Sequence, residues 1–87
     1  MNAAATIRGA LVDGADGERI NQLAALTGTR PPEGAVLLAE IEGDPIAAVG
    51  IFDRHAIFDP HRSSFPLRMR LRLLRLRVRL IATVYGA

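Results

Sequence analysis

The sequence predicts a small α+β domain, an antiparallel sheet covered by helices in the order β-α-β-β-β-α. The chain has 87 residues, 49% of them apolar and 23% charged, which is the composition of a single folded domain. Residues 35–42 and 45–52 are mainly apolar, strand-like segments around a glycine turn, the pattern of a β-hairpin. Residues 67–81 have helical spacing of leucine and arginine. We therefore expect one domain over residues 1–87, with a body over 6–59 and a C-terminal helix over about 64–82.

The first two elements are a strand and a helix. Residues 6–12 are a short apolar segment before the turn-forming Asp13-Gly14, which is typical of a strand. Asp13 then caps a helix, in which Ile20 and Leu23 belong to the apolar face. Gly28 ends that helix, since glycine adopts the left-handed conformation easily.

The hairpin defines the centre of the predicted sheet. Gly43-Asp44 is the expected two-residue turn, because glycine supplies the positive φ that a tight turn needs. This turn places Ile41 opposite Ile46. After the two hairpin strands, residues 55–58 are predicted to add a third, short antiparallel strand.

The last segment alternates apolar and basic residues, but a Leu73-Leu74 doublet shifts the phase, which excludes a regular strand. We expect a helix capped by Ser64, with Pro66 in its first turn. One of its two apolar stripes contains Leu67, Leu71, Leu74, Val78 and Ile81, and the other contains Met69, Leu73, Leu76 and Leu80. Between them lie Arg68, Arg72, Arg75 and Arg79 on one side and Arg70 and Arg77 on the other. One stripe can cover the sheet, and the other needs a further partner.

Charge is divided sharply along the chain. Residues 1–61 hold nine acids and four arginines, a net charge of −5, while residues 62–87 hold seven arginines and no acid. We expect the arginines of the helix to meet the acidic body. Glu40 and Glu42 lie two apart on a strand, which favours a solvated strand face and leaves pairing with arginines of a helix as the alternative.

Several classes of protein are excluded. Without cysteine there is no disulfide, thiolate nucleophile or cysteine-bound zinc. Six arginines between residues 67 and 84 exclude an ordinary membrane-spanning helix, and residues 1–6 have no secretory signal pattern, so we expect a cytoplasmic protein.

His55 and His61 lie near Asp53 and Asp59, residue types that serve acid–base or metal chemistry. Turns favour the same residues, and a structural role explains them better. We expect no catalytic, cofactor-binding or metal-binding residues.

The sequence resembles the N-terminal half of the GNAT acyltransferase superfamily, through Thr6-Ile7-Arg8 in the opening strand and residues 38–44 at the hairpin. It is more similar to a group of small actinobacterial proteins of unknown function, through residues 38–48, Asp59-Pro60-His61-Arg62 and the leucine-arginine helix. The GNAT resemblance implies a pyrophosphate-binding loop at residues 61–66. That segment has no glycine, and Pro66 has no N–H to donate.

Three functions follow. The first is a non-catalytic GNAT-like module that forms a homodimer, or meets another protein, through Met69, Leu73, Leu76 and Leu80. The second is binding of nucleic acid or an anionic membrane surface by Arg68, Arg72, Arg75 and Arg79. The third is minimal acyl-CoA binding.

Overall fold

The computed structural model describes residues 5–86, with side chains as far as Val84. Its elements are β1 (Thr6–Leu11), α1 (Gly17–Thr27), β2 (Ala35–Ile41), β3 (Asp44–Gly50), β4 (Ala56–Phe58) and α2 (Phe65–Gly86). This order confirms the predicted β-α-β-β-β-α class.

The four strands form one antiparallel sheet in chain order, β1-β2-β3-β4. Helix α1 packs on one face of the sheet, and α2 packs on the other, so the domain has three layers. Ile20 and Leu23 of α1 meet Leu38 in one half of the core, while Leu71 of α2 meets Val49 in the other. Because β2 and β3 are covered on both faces, their central residues, 36–39 and 46–49, are all apolar.

Helix α1 begins later than expected. Asp13 lies in the turn before the helix, and the N-cap position belongs to Asp16, whose side chain makes no capping hydrogen bond. The predicted Asp13 cap is therefore wrong. The reason is a pair of consecutive turns. The Gly14 N–H donates to the Leu11 carbonyl oxygen, and the Gly17 N–H donates to the Gly14 carbonyl oxygen. At the other end, Gly28 has φ 72° and confirms the predicted stop.

The hairpin turn also differs from the prediction. Glu42 and Gly43 are the two central residues, with φ of 53° and 83°. Positive φ at both positions is the requirement of a type I′ turn, whose twist matches the strands. The observed pairs are Ile41 with Asp44, Glu40 with Pro45, Ala39 with Ala47 and Leu38 with Ala48. The predicted pairing of Ile41 with Ile46 is wrong, because the turn lies one residue earlier and a bulge follows at Ala39/Glu40.

The start of α2 matches the sequence closely. Ser64 Oγ accepts the Leu67 N–H at 3.3 Å, which confirms the predicted cap, and Pro66 occupies the first turn. The helix continues to Gly86, four residues beyond the expected end.

Candidate interaction surface

The inner stripe of α2, which is Leu67, Leu71, Leu74 and Val78, packs against the sheet. Leu71 is 0% exposed and is its most buried member. Ile81, predicted in the same stripe, is instead 56% exposed. The 22 residues of α2 span about 33 Å, whereas the 7 residues of β3 span about 23 Å. The last turns of the helix therefore run past the strands.

The outer stripe of α2, which is Met69, Leu73, Leu76 and Leu80, faces away from the sheet. Its exposed fractions rise from 39% at Met69 to 66% at Leu80. Phe65 and Val84 extend the exposed apolar surface towards the two ends of the helix. A groove of about 670 Å³ lies along this surface, between the outer stripe and the arginines Arg70 and Arg77.

The arginine row predicted for anions is split by the fold. Arg68 donates to Ser63 Oγ at 3.2 Å and lies over the Phe58 ring, 5.1 Å from its centroid. Arg75 donates to the backbone oxygen of Arg54 at 3.4 Å. Both are thus engaged with the body of the domain. Arg72 is exposed and Arg79 is half-buried, at the border of the outer stripe.

The arginines of α2 do not pair with the acidic body. Within residues 5–86, every ion pair uses Arg8, Arg19, Arg30 or Arg62, and none uses an arginine of α2. The expected pairing is therefore wrong. The layers explain it, because α1 and Glu40 lie on the opposite side of the sheet from α2.

Glu40 is the buried centre of an ion-pair network. It is 7% exposed, and its two carboxylate oxygens accept from Arg8 Nε at 2.8 Å and Arg19 Nη2 at 3.0 Å. Arg8 also holds both oxygens of Asp16, and this hydrogen bonding keeps the pKa of Asp16 below its ordinary value. The predicted solvated face is wrong for Glu40, which instead pairs with a helix arginine, Arg19 of α1, as the alternative predicted. Glu42 lies in the turn. An acid within the apolar run of β2 was the available signal, since buried carboxylates are paired.

A second polar cluster joins two loops. Asp53 accepts from Arg30 Nη1 at 2.9 Å and from the N–H groups of Glu33 and His55 at 3.0 and 3.1 Å. These bonds, that from Arg30 above all, lower the pKa of Asp53 strongly. His55 Nε2 lies 2.7 Å from the Arg30 carbonyl oxygen. The cluster fastens the α1–β2 loop to the β3–β4 turn.

Asp59 organises the turn before α2. It is nearly buried, and its Oδ1 accepts the His61 N–H at 2.9 Å. The two histidines are therefore parts of different turns. Among residues 5–86, no three histidine, aspartate or glutamate side chains are grouped to hold a metal ion.

The N-terminus of α2 has few donors for a pyrophosphate. The Leu67 N–H already donates to Ser64 Oγ, and Pro66 has none. The geometry adds no support to acyl-CoA binding.

No family model, curated protein or solved structure matches this chain. In the part of the chain that the structure describes, none of the helices combines the length and the apolar character needed to cross a membrane. The surface that distinguishes this domain is the outer stripe of α2 with its flanking arginines.

Proposed function

We propose that the protein is a non-catalytic, GNAT-like interaction module that works by association through the outer stripe of α2. One observation carries the proposal: the helix buries its inner stripe on the sheet and leaves the outer stripe exposed. The exposed leucines form a row on a rigid helix, and covering this apolar surface with a partner is favourable because it removes apolar area from water. An 87-residue domain also gains stability from added apolar burial.

The polar residues support association over catalysis. Glu40 and Asp53 each hold separate elements together, and Asp59 shapes the turn into α2. Their hydrogen-bonding capacity is used within the fold, so these carboxylates act as structural groups.

The form of association predicted from the sequence is a homodimer. Its test is the molar mass in solution by light scattering, at low and at high salt. Replacing Leu73 and Leu76 together by glutamate should give a monomer, because it places charge in the centre of the outer stripe. The matched control is Leu26→Glu, since Leu26 is 68% exposed on α1, across the sheet. A dimer that survives the double substitution contradicts this interface.

A second candidate is binding to an anionic surface, either nucleic acid or a membrane. It is favoured by the absence of acidic partners for the α2 arginines within residues 5–86. It predicts nucleic acid carried through purification and released by salt, or binding to vesicles that contain phosphatidylserine. Protein free of nucleic acid that ignores such vesicles contradicts it.

A further inference from the structure

The outer stripe has the spacing of a two-helix seam. Met69, Leu73, Leu76 and Leu80 are separated by four, three and four residues, the alternation by which one helix packs its side chains between those of another. The inner stripe repeats the same alternation and is already packed on the sheet. Helix α2 thus carries two seams, and the outer one has room for a second helix.

The positions beside the outer seam are all basic. In the heptad that places Leu73 and Leu80 at a and Met69 and Leu76 at d, positions e and g carry only arginine. They are Arg70 and Arg77 on one side and Arg72 and Arg79 on the other. These flanking positions decide which helices pair, because their charges meet those of the partner helix.

From this arrangement, and resting on the proposed association through α2, we infer that the outer seam binds an acidic amphipathic helix of another protein. The partner is recognised by an apolar seam with glutamate or aspartate on both sides. A second copy of this chain is the poorer occupant. Whether two α2 helices pair parallel or antiparallel, arginine meets arginine along both sides of the seam.

The shape of the surface favours a helix over a membrane or a nucleic acid. The outer seam takes only two positions of each heptad, and arginines lie directly beside it. It is therefore narrower than the apolar face of a helix that lies in the surface of a bilayer. Binding of nucleic acid phosphates by the arginines would leave Leu73, Leu76 and Leu80 between them exposed to water. Because the sheet already holds α2 in helical form, the partner does not have to supply the ordering of this helix.

The test uses the full chain and three fluorescent synthetic peptides built on heptads. The first has a leucine seam flanked by glutamate, the second has the same seam flanked by lysine, and the third has the composition of the first with the leucines moved out of seam spacing. Binding is followed by anisotropy at low and high salt. The acidic seam peptide should bind about tenfold or more tightly than either of the others. The four arginines beside the seam attract its glutamates but repel the lysines of the second peptide, and the third peptide lacks the leucine seam.

Two double variants complete the test. Arg70→Glu with Arg77→Glu replaces exposed side chains, so the fold should persist by circular dichroism while the preference for the acidic peptide disappears. Leu73→Ser with Leu76→Ser should abolish binding, and Leu26→Ser should not. An unchanged preference in the arginine variant, or equal binding of the scrambled peptide, overturns the inference.

The outcomes also separate this inference from the proposed function. If the outer seam mediates a dimer at low salt, or binds phosphatidylserine vesicles or duplex DNA while ignoring the acidic peptide, the inference fails and association through α2 stands. If changes at Leu73 and Leu76 alter no association of any kind, both fail.

Discussion

Removing the Leu71 side chain tests the packing on which the outer surface depends. Leu71 is 0% exposed and sits between α2 and the sheet. Leu71→Ala loses three carbons, worth about 0.8 kcal/mol each by transfer, and the cavity left behind raises the total to roughly 3–4 kcal/mol. That is a large share of the roughly 4–13 kcal/mol expected for a domain of this length. It corresponds to a fall in Tm of roughly 12–32 °C.

The matched control is Leu73→Ala, two residues along the same helix. Leu73 is 57% exposed, so the same deletion should change the stability of the monomer by at most about 0.5 kcal/mol. Urea unfolding followed by circular dichroism measures both, at two protein concentrations, because association through Leu73 makes its effect depend on concentration. Equal losses for the two variants at every concentration would refute the assignment of inner and outer stripes.

Three further changes probe the rest of the fold. Glu40→Gln should lower the unfolding free energy by about 1–3 kcal/mol in urea, because charged hydrogen bonds are lost at a buried site; an unchanged midpoint contradicts the network. Since the folded state lowers the pKa of Asp16 and Asp53, their contribution is present above pH 4 and is lost as pH falls through their folded pKa values. Acid titration of Asp53→Asn should show a weaker decline than the parent, and an identical decline argues against the Asp53 cluster. Gly50→Ala should destabilise strongly, because a Cβ there would meet the Asp53 carbonyl oxygen, whereas Gly9→Ala has open space; equal thermal midpoints for the two variants would contradict this packing.

The fold was predictable where local signals act alone. Ser64 and Gly28 mark helix ends through their own side chain or φ preference, and both behave as the sequence indicates. The hairpin register was not predictable to the residue. Glu42 adopts positive φ, which nothing in its side chain demands, and the bulge beside Glu40 compensates for the shift.

The candidate site was predictable as a pattern of stripes but not in its electrostatics. Helical spacing separated Leu71 from Leu73 correctly, because periodicity depends only on helix geometry. The net charges of the two parts of the chain indicated attraction between the acidic body and the arginines of α2. Ion pairing, however, depends on which layer of the fold carries each charged side chain. The sheet separates Glu40 from the α2 arginines, and Arg8 and Arg19 occupy Glu40 instead.

The order of the strands has a consequence for how the chain folds. Strands β2, β3 and β4 pair through short connections, and β1 joins β2 across α1, so the whole sheet can assemble before α2 exists as a helix. During synthesis, residues 65–78 emerge after all four strands. The face formed by Leu37, Ala47 and Val49 therefore stays open to water longest. In that interval the nascent chain is most prone to aggregate, and the docking of α2 ends the exposure.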